Sequence, residues 1–502
     1  MRKIQIIFTI TLFTFNFDSV AQNLESHFNV ISANNDMMGG SLVVFCENGI
    51  IENLAIGKSD YSRNIDMKVD SKYRIASISK AITAIAVMQL AEHNLLNLDE
   101  NISSILGYSV LNPNNPSVAI TSRMLLSHTS TIIDGSTYSN FIEATVNNNP
   151  IPNLSEILTP NGAYYTTGQF NNAVPGTYFN YANINYVILG TIVEKVSNVR
   201  FDVYCKQNIS DPLGIDASFN VNDLSDIDQL AVLYRKTNGV WIAQVDNYLG
   251  IQPVFNNLSG YITGSNGGRF GPQGGFRCSA QDLSKIFLVL MNKGSFNGVT
   301  LLSESSCNAM FTNEWTFTGN NGNNYYGLFR SWGLGIHRIT STPGNDIVLS
   351  GSTSMLGHAG EAYGLVSDAY FDTIRKVGVV FINNGVGIGY QTNNTSIFYT
   401  VEQQVFNAVE NHGNISNCLQ AVGINSIDIP VASLYPNPSS GFINIPGCSA
   451  QRGCKIKIVA LDGRKVKSFR LDKGETRIDI QDLKRGMYIL ELNGTSYSFI
   501  KE

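Results

Sequence analysis

The sequence predicts an α+β fold, in which helices flank an antiparallel β-sheet and a small all-β sandwich follows. Within residues 22–410, β-rich runs occur at both ends and mostly helical sequence lies between them. Within residues 433–502, short runs alternate apolar and polar residues between turns. With 43% hydrophobic and 15% charged residues, the 502-residue chain has enough apolar material for a large core.

The first 21 residues predict a signal peptide. Arg2 and Lys3 precede the apolar run IQIIFTITLFTF, and Ser19 and Ala21 supply the small residues of a cleavage site. The run is shorter than the roughly 20 apolar residues of a bilayer-spanning helix, and a buried first strand is its alternative reading. We therefore expect a mature chain that begins near Gln22, outside the cytoplasm, without a transmembrane segment.

Two pairs of strands frame the first domain. The run SLVVFCENGIIENLAIG has β-rich sequence on either side of Asn48-Gly49, which is a strong hairpin signal. A second pair, GLVSDAYF and KVGVVFINNG, lies at 364–385, and the amphipathic helical run SIFYTVEQQVFNAVE follows it. We expect one antiparallel sheet built from both ends of the domain, with an inserted helical region between them.

The composition changes after this domain. The next residues lose the helical period and carry Gly, Asn, Ser and Pro, which predicts a linker. Beyond it, segments such as CKIKIVALDGRKVKSFRL and GMYILELNGTSYSFIKE alternate around Asp-Gly and Asn-Gly turns, as in a β-sandwich. The predicted order is a signal peptide at 1–21, the main domain at 22–410, a linker at 411–432 and the sandwich at 433–502.

Several classes of function are excluded by composition and motif. The net charge is −5 and no block of Lys or Arg occurs, so nucleic acid is not an expected partner. There is no His-Glu-x-x-His sequence and no cysteine pair with zinc-ligand spacing, so we expect no metal and no cofactor. A Gly-x-Ser-x-Gly elbow is also missing, which argues against an α/β-hydrolase.

The seven cysteines form no dense disulfide framework. Cys448 and Cys454 flank a turn-like segment and could bridge a hairpin. The other five are scattered, and buried free thiols are expected for most of the first four of them. These five are Cys46, Cys205, Cys278, Cys307 and Cys418.

Ser77 and Lys80 are the first candidate catalytic residues. They lie three residues apart in YRIASISKAITAIAVMQLAE, which is apolar on nearly all sides and predicts a buried helix that puts both on one face. A desolvated lysine with a lowered pKa can take the proton of a serine hydroxyl, although a helix-capping serine and a solvent-reaching lysine remain the structural alternative. The same letters recur at Ser498 and Lys501, but in a predicted strand, where the two side chains point to opposite faces.

Six segments resemble the serine β-lactamase and penicillin-binding-protein superfamily in their order and separations. The resemblance covers residues 25–410 and is strongest to the class C β-lactamase, D,D-peptidase and esterase branch. It implies Ser77 as the nucleophile and Lys80 as a residue that handles its proton. The matching segments are YRIASISKAITAIAVMQLAE, ITSRMLLSHTS, VPGTYFNYANINYVILGTIVEKVS, DPLGI, GPQGGFRCSAQDLSKI and GHAGEAYG.

The second motif of the family is Tyr-x-Asn. Only Tyr181 has the family's surroundings, with Pro175-Gly176 before it, so the resemblance selects Tyr181 and Asn183. A phenol beside a lysine ammonium can have its pKa lowered and act as a general base for Ser77, and the Asn183 amide can hold Lys80 and a substrate carbonyl. The places that fit the letters are Tyr138-Ser139-Asn140, Tyr178-Phe179-Asn180, Tyr181-Ala182-Asn183 and Tyr435-Pro436-Asn437.

The third motif is His358-Ala359-Gly360, the His-x-Gly form that replaces Lys-Thr-Gly in the esterase and peptidase branches. Gly360 lets a substrate approach the strand closely, and the N–H of Glu361 is expected to form an oxyanion hole with that of Ser77. Histidine removes a permanent positive charge that would hold a substrate carboxylate, which argues against potent β-lactamase activity. His128, in LLSHTS, is expected to be structural.

The C-terminal segment resembles the sorting domain of type IX secretion substrates. The matching pieces are LYPNPSSGFINI, ALDGRKV and RGMYILEL. The resemblance implies the secretion machinery as a partner and a secreted or cell-surface location. An ordinary β-sandwich binding module is the alternative.

Together these features predict a secreted serine hydrolase that cleaves an ester or a small amide through an acyl-enzyme on Ser77. The expected partner at the site is a small-molecule or peptide substrate. Two alternatives stay open. One is a D,D-carboxypeptidase or β-lactamase acting on peptidoglycan peptides or β-lactams, and the other is a non-catalytic surface protein that keeps the fold for binding.

Overall fold

The structure is a computed structural model, and it divides the chain into two compact units, Met1–Cys418 and Leu419–Glu502. The predicted signal peptide, most of the predicted linker and Cys448 lie outside the described residues. The described residues are 23–253, 258, 260–350, 352, 355–392, 395–412, 415, 418, 439–444, 454–460, 465–471, 477–492 and 495–501.

Helices and strands are interleaved through the first unit, and strands make up the second. The α-helices of the described residues are α1 Leu24–Asn35, α2 Ser79–Glu92, α3 Ile102–Leu106, α4 Ser122–Leu126, α5 Tyr138–Asn147, α6 Ser155–Leu158, α7 Ile184–Ser197, α8 Phe201–Cys205, α9 Ala280–Met291, α10 Glu304–Phe311 and α11 Thr400–Glu410. The strands are β1 Gly39–Cys46, β2 Gly49–Asp60, β3 Ile65–Asp66, β4 Lys72–Arg74, β5 Phe179–Asn180, β6 Leu233–Thr237, β7 Val240–Val245, β8 Arg277–Ser279, β9 Ser295–Phe296, β10 Val299–Thr300, β11 Trp315–Thr316, β12 Gly322–Asn323, β13 Ser331–Trp332, β14 His337–Arg338, β15 Met355–Ala362, β16 Leu365–Asp372, β17 Val377–Asn383, β18 Phe442–Asn444, β19 Cys454–Ala460, β20 Lys465–Leu471, β21 Arg477–Asp479, β22 Gly486–Leu492 and β23 Thr495–Lys501.

A nine-stranded sheet organises the first unit, with the order β11-β13-β14-β15-β16-β17-β1-β2-β3. Neighbouring strands pair antiparallel, and β1 and β2 form the hairpin predicted at Asn48-Gly49. The pairing of β1 with β17 joins the two ends of the domain. The α+β fold with an antiparallel sheet is therefore confirmed, and the helical region lies in the sequence between the two sets of strands.

Both faces of the sheet are covered by helices. Val43 and Phe45 of β1 pack in the cluster that contains α2, α7 and α9, whereas Leu42 and Val44 pack on the other face with α1 and α11. Successive side chains of a strand point to opposite faces, so β1 has to be apolar throughout, and all eight of its residues are buried. This explains why its sequence reads as a continuous apolar run.

Helix α2 is the buried helix that the sequence predicts. All of its residues from Ser79 to Leu90 are buried, and Lys80 is 0% exposed. Gln89, near its C-terminal end, donates hydrogen bonds to the carbonyl oxygens of Asn208 and Leu301. The helix therefore carries a lysine into the core of the domain at its N-terminal end.

A disulfide joins Cys46, at the end of β1, to Cys418. Ile415 and Cys418, which lie in the predicted linker, are buried in the apolar cluster of the first unit that contains α1 and α11. Sequence analysis did not find this pairing. Cys205, Cys278 and Cys307 are buried free thiols, as expected for most of the scattered cysteines.

The described residues of the second unit form two antiparallel sheets around one apolar cluster. One sheet has the order β20-β19-β22-β23, and the other pairs β18 with β21. Ile443 of β18, Ile478 of β21 and Leu490 of β22 are buried in the same cluster. Ser498 and Lys501 both lie in β23, so the second Ser-x-x-Lys sequence is in a strand, as predicted.

No helix among the described residues is both long enough and apolar enough to cross a bilayer.

We expect the Cys46–Cys418 disulfide to stabilise the first unit. Its removal in the double variant Cys46→Ala/Cys418→Ala should lower the free energy of unfolding by about 2–5 kcal/mol, because the unfolded chain regains freedom. Denaturant unfolding followed by tryptophan fluorescence measures this, since all three tryptophans lie in the first unit. A reductant should lower the stability of the parent protein and leave the double variant unchanged. Two free thiols at these positions in the native protein would contradict the prediction.

Candidate active site

Ser77 and Lys80 meet at the start of α2. Ser77 lies in a single 3-10 turn, Ala76–Ile78, which leads directly into the helix. Its side chain reaches a surface cavity, whereas Lys80 is fully buried. Ala76, next to Ser77, has a φ of 50°, the left-handed region that residues other than glycine rarely adopt. Such strained positions cluster at functional sites.

Three oxygen atoms surround the Lys80 ammonium group. Its Nζ lies 3.0 Å from Ser77 Oγ, 2.9 Å from Asn183 Oδ1 and 2.8 Å from the carbonyl oxygen of Gln273. A lysine has three donors, so the charged form is satisfied completely without water. These three contacts explain how a cation can be buried at this position.

Asp134 fixes the Asn183 side chain. One oxygen of its carboxylate accepts hydrogen bonds from Asn183 Nδ2 at 2.8 Å and from the Asn183 backbone N–H at 3.0 Å, and the other accepts from the N–H of Ile184. The carboxylate therefore caps the N-terminus of α7 and turns the amide oxygen of Asn183 toward Lys80. Sequence analysis missed Asp134 because a single aspartate in a loop carries no motif.

The Gln273 carbonyl is held by side chains of α2. Thr83 Oγ1 donates to the carbonyl of Pro272 at 2.7 Å, and Ser79 Oγ accepts from the N–H of Phe276 at 3.0 Å. The loop that carries Gln273 is therefore tied down on both sides of it. A backbone carbonyl leaves no residue-type signal, so no sequence pattern could have identified this acceptor.

Burial lowers the pKa of Lys80 to about 7, and the nearby Asp134 carboxylate opposes this shift. A neutral lysine has two donors and one lone pair. Asn183 Oδ1 and the Gln273 carbonyl can only accept, so they take the two N–H groups. The lone pair then faces the third neighbour, the Ser77 hydroxyl, which can donate its proton.

Tyr181 lies against both residues. Its hydroxyl is hydrogen-bonded to Ser77, and its ring centroid is 4.9 Å from Lys80 Nζ. Burial nevertheless raises the pKa of Tyr181, and the hydrogen bond to Ser77 offsets only part of this. The lowered phenol pKa that the sequence led us to expect is therefore wrong, because burial raises the pKa of Tyr181. Tyr181 is therefore a neutral phenol here.

Lys80 makes no hydrogen bond to the other Tyr-x-Asn candidates among the described residues. Tyr138 begins α5, and Asn180 lies in β5, where its N–H donates to the carbonyl of His128. Tyr435 lies outside the described residues. Among the described candidates, Tyr181 and Asn183 are thus the pair that lies around Ser77 and Lys80.

His358 lies behind Tyr181 and does not line the cavity. It is 0% exposed, its ring centroid is 6.2 Å from that of Tyr181, and its Nδ1–H donates to the Ala359 carbonyl at 2.6 Å. Burial and the charge of Lys80 hold the pKa of His358 well below its usual value, so it is neutral. A neutral, covered imidazole cannot act as a fixed cation toward a substrate.

His128 also packs behind Tyr181, at 4.4 Å between ring centroids. Its Nδ1 accepts the N–H of Ala182, while the neighbouring Ser127 hydroxyl donates to the Arg123 carbonyl. His128 and Ser127 therefore do not form a catalytic pair. The contacts of His128 fit the structural role predicted for it.

Gly360 brings β15 next to the nucleophile. A Cβ atom at this position would lie 2.8 Å from the carbonyl oxygen of Ile75 and 3.1 Å from the backbone nitrogen of Ser77, so a larger residue would push the strand away. Glu361 follows on the same strand, and its carboxylate accepts a hydrogen bond from the Tyr399 hydroxyl at 2.8 Å. Ser77, Gly360 and Glu361 line the same cavity.

The cavity has a volume of about 430 Å³ and largely aromatic walls. Of the aromatic wall residues, sequence analysis found Tyr181 alone, because the others are scattered and carry no spacing signal. Tyr326 is 91% exposed at the mouth of the cavity, and it and Tyr325 both have φ values in the left-handed region. The aromatic wall consists of Tyr181, Tyr325, Tyr326, Phe329, Phe398 and Tyr399.

Family comparison agrees with this geometry. The beta-lactamase family model matches residues 24–400, and the secretion system C-terminal sorting domain model matches residues 433–502. Protein flp of Staphylococcus aureus (strain MRSA252) is 27% identical over 186 residues, which is 37% of this chain and 35% of that protein. Penicillin-binding protein 4* of Bacillus subtilis (strain 168) is 27% identical over 35% of this chain and 36% of that protein. The chain thus aligns with about a third of the length of these curated relatives.

Solved structures share the fold at low sequence identity. A penicillin-binding protein homologue from Pyrococcus abyssi has a TM-score of 0.57 at 19% identity, over 95% of this chain and 96% of its own. The D-amino acid amidase from Ochrobactrum anthropi SV3 has a TM-score of 0.56 at 17% identity, over 79% and 99%. EstCE1, a hydrolase with promiscuous acyltransferase activity, has a TM-score of 0.53 at 17% identity, over 78% and 99%.

The family match covers most of the first unit, and the sorting domain directs the protein to type IX secretion and so to the cell surface or the medium. The chain therefore belongs to the beta-lactamase family and carries a C-terminal secretion sorting domain.

Proposed function

We propose that the protein hydrolyses an ester or a small amide through an acyl-enzyme on Ser77. The observation that carries this proposal is the set of contacts around Lys80, in which two fixed acceptors leave the lysine lone pair for the Ser77 hydroxyl. A serine beside such a base is an activated nucleophile. The amidase and the acyltransferase among the structural neighbours support the same class of reaction.

In the acylation step, Ser77 Oγ attacks the substrate carbonyl carbon and its proton moves to Lys80 Nζ. The carbonyl oxygen becomes an oxyanion, which the N–H groups of Ser77 and Glu361 stabilise. The neutral Tyr181 hydroxyl is hydrogen-bonded to Ser77 and can pass the proton on to the leaving group. Asn183 keeps Lys80 in place through both steps.

In deacylation, water is the nucleophile and Ser77 Oγ is the leaving group. The leaving group departs with the proton, and Lys80 is neutral again. A water molecule that gives its proton to Lys80 attacks the acyl carbon, and the intermediate expels Ser77 Oγ, which takes the proton back. The released acid leaves Ser77 and Lys80 as they began.

A D,D-carboxypeptidase or β-lactamase is a less well supported function for this site. Both classes bind substrates with a carboxylate, and the neutral, covered His358 offers no positive charge to hold one. We expect turnover of nitrocefin to be slow relative to a simple ester. Nitrocefin turnover as fast as that of the best ester would favour the β-lactamase alternative.

Replacement of Ser77 by Ala should lower kcat/KM for a chromogenic ester by more than about 1,000-fold, because the nucleophile is lost. The same variant should lose labelling by a fluorophosphonate probe, as read by intact-mass spectrometry. Ser498→Ala is a matched control, since it changes the same Ser-x-x-Lys letters in β23 and should leave rate and labelling unchanged. Retained labelling of Ser77→Ala would reject the assignment, and a parent protein that no serine probe labels would support a non-catalytic binding role.

The pH dependence of kcat/KM should follow the protonation state of Lys80. Below a pH of about 7 Lys80 is an ammonium ion that cannot accept a proton, and above it the neutral amine can. We expect kcat/KM to rise with pH through about 7 and the same limb to persist in Tyr181→Phe, which would be slower overall. The measurement is kcat/KM for the ester from about pH 5 to 9, corrected for spontaneous hydrolysis. Loss of the limb in Tyr181→Phe would instead make Tyr181 the base.

The charge of Asp134 should affect the pH at which kcat/KM rises. Its carboxylate raises the pKa of Lys80, so Asp134→Asn should move the acidic limb of the profile to lower pH. Asp66→Asn removes an exposed carboxylate that pairs with Lys58 outside the cavity, and it should leave the limb where it is. A limb that does not move in Asp134→Asn would contradict the assignment of Lys80 as the titrating group.

A further inference from the structure

We propose that the first unit has a second binding site, which takes a small organic anion with an apolar body. The site is a cavity of about 280 Å³ at the end of β14 and β15 that lies away from Ser77. It shares no described lining residue with the cavity at Ser77. The inference goes beyond the proposed function and does not depend on it.

The cavity lies where one end of the sheet meets α9 and α10. Met355 begins β15, whereas Gly360, which adjoins Ser77, is five residues further along the same strand. At the rise of a β-strand this separation is roughly 16 Å. Met291 ends α9 and Phe311 ends α10, and both line the cavity. A ligand held here would not take the place of a substrate on Ser77.

Buried apolar side chains make up much of the cavity wall. Met291 and Met355 are 1% exposed, and Ile339 and Leu356 are 6% exposed. Concave surfaces of this kind favour a ligand that removes apolar area from water. The wall therefore suits the apolar body of a ligand rather than a bare inorganic ion.

Arg338 brings a half-buried guanidinium group to this cavity. Its Nη1 donates to the carbonyl oxygen of Phe311, and its Nε donates to Ser331 Oγ at 3.3 Å. Within the described part of the chain, its Nη2 has no acceptor and no carboxylate pairs with it. Burial lowers the pKa of Arg338, and no neighbouring acid opposes this shift. Partly buried cations are usually paired, so this one is available to an anion.

Two lysines add to the positive charge of the cavity. Lys376 Nζ donates to the carbonyl oxygen of Met291 at 3.3 Å and forms no ion pair with the described residues. Lys293 pairs with Glu304 at 2.6 Å, but both side chains are more than half exposed, where such a pair is weak. No aspartate or glutamate is among the described lining residues. The charges that line the cavity are therefore all positive.

An oxyanion head group on an apolar body complements both features. A guanidinium group donates two parallel hydrogen bonds to carboxylate or phosphate oxygens, and a lysine ammonium adds a second charge. Arg338 comes from β14, and Lys376 comes from the turn before β17, so the two cations reach the cavity from different strands. Carboxylate and phosphate head groups share this chemistry, and the experiment compares them.

Four fluorinated probes of one shape test the inference. They are 4-fluorophenylacetate, 4-fluorobenzylphosphonate, 2-(4-fluorophenyl)ethanol and 2-(4-fluorophenyl)ethylamine, which carry a carboxylate, a phosphonate, a neutral hydroxyl and an ammonium group. Fluorine NMR titration of the full chain near neutral pH gives a Kd for each probe. We expect at least one anion to bind with a Kd at or below about 1 mM, at least about tenfold more tightly than the alcohol, and the amine to bind more weakly than the alcohol.

Variants locate the binding site. Arg338→Gln should raise the Kd of the tighter anion by at least about fivefold, and Lys376→Gln by at least about threefold, because each removes a positive charge from the cavity. Lys206→Gln is a matched control at a lysine that pairs with Asp211 outside the cavity, and it should leave the Kd unchanged. If Arg338→Gln does not fold, Lys376→Gln gives the answer, since the Lys376 side chain is only partly buried.

The comparison of the two anions identifies the head group, and tighter binding of either one that both variants weaken supports the inference. Anions that bind no more tightly than the alcohol would overturn it. So would tightest binding of the amine, or an unchanged Kd in both cavity variants. Because the readout is binding alone, a failure of the chemistry proposed for Ser77 would not affect this result.

Discussion

The buried amine of Lys80 is the interaction on which the rest of the site depends. An ammonium ion without partners would not tolerate this position, and the fold supplies three oxygen neighbours for it. Two of them can only accept hydrogen bonds. The neutral amine therefore donates to these two oxygens and directs its lone pair toward the third, the Ser77 hydroxyl. Burial destabilises the ammonium form of Lys80 and so lowers its pKa. The same burial makes Lys80 able to accept the proton of Ser77.

Two helices and one strand hold the groups around Lys80 in place. Helix α2 carries Lys80 and also ties down the loop of Gln273 through Thr83 and Ser79. Helix α7 presents Asn183 from its N-terminus, where Asp134 fixes the amide. Strand β15 completes the site from the sheet, whose covered faces leave this strand little freedom to move. Segments far apart in the sequence thus meet around one nitrogen atom.

The sequence predicted those parts of the molecule that have a periodic or motif signal. The hairpin at Asn48-Gly49, the buried helix α2 and the strand location of Ser498 could be recognised because pattern and turn chemistry are local. Asp134 and the carbonyl of Gln273 could not, since one lacks a motif and the other is not a side-chain property. The pKa of Tyr181 was predicted in the wrong direction, because the balance between burial and a neighbouring charge depends on packing that residue types alone do not give.

The disulfide has a topological consequence. Its two cysteines are 372 residues apart, so the chain between them forms a closed covalent ring that contains Ser77, Lys80, Tyr181, Asn183 and His358. A single cut in a surface loop within the ring leaves two chains that the disulfide still joins, so no fragment is released. A cut anywhere beyond Cys418, such as one that detaches the sorting domain, leaves the ring intact. Any processing after Cys418 would therefore leave all five of these residues in one covalent ring.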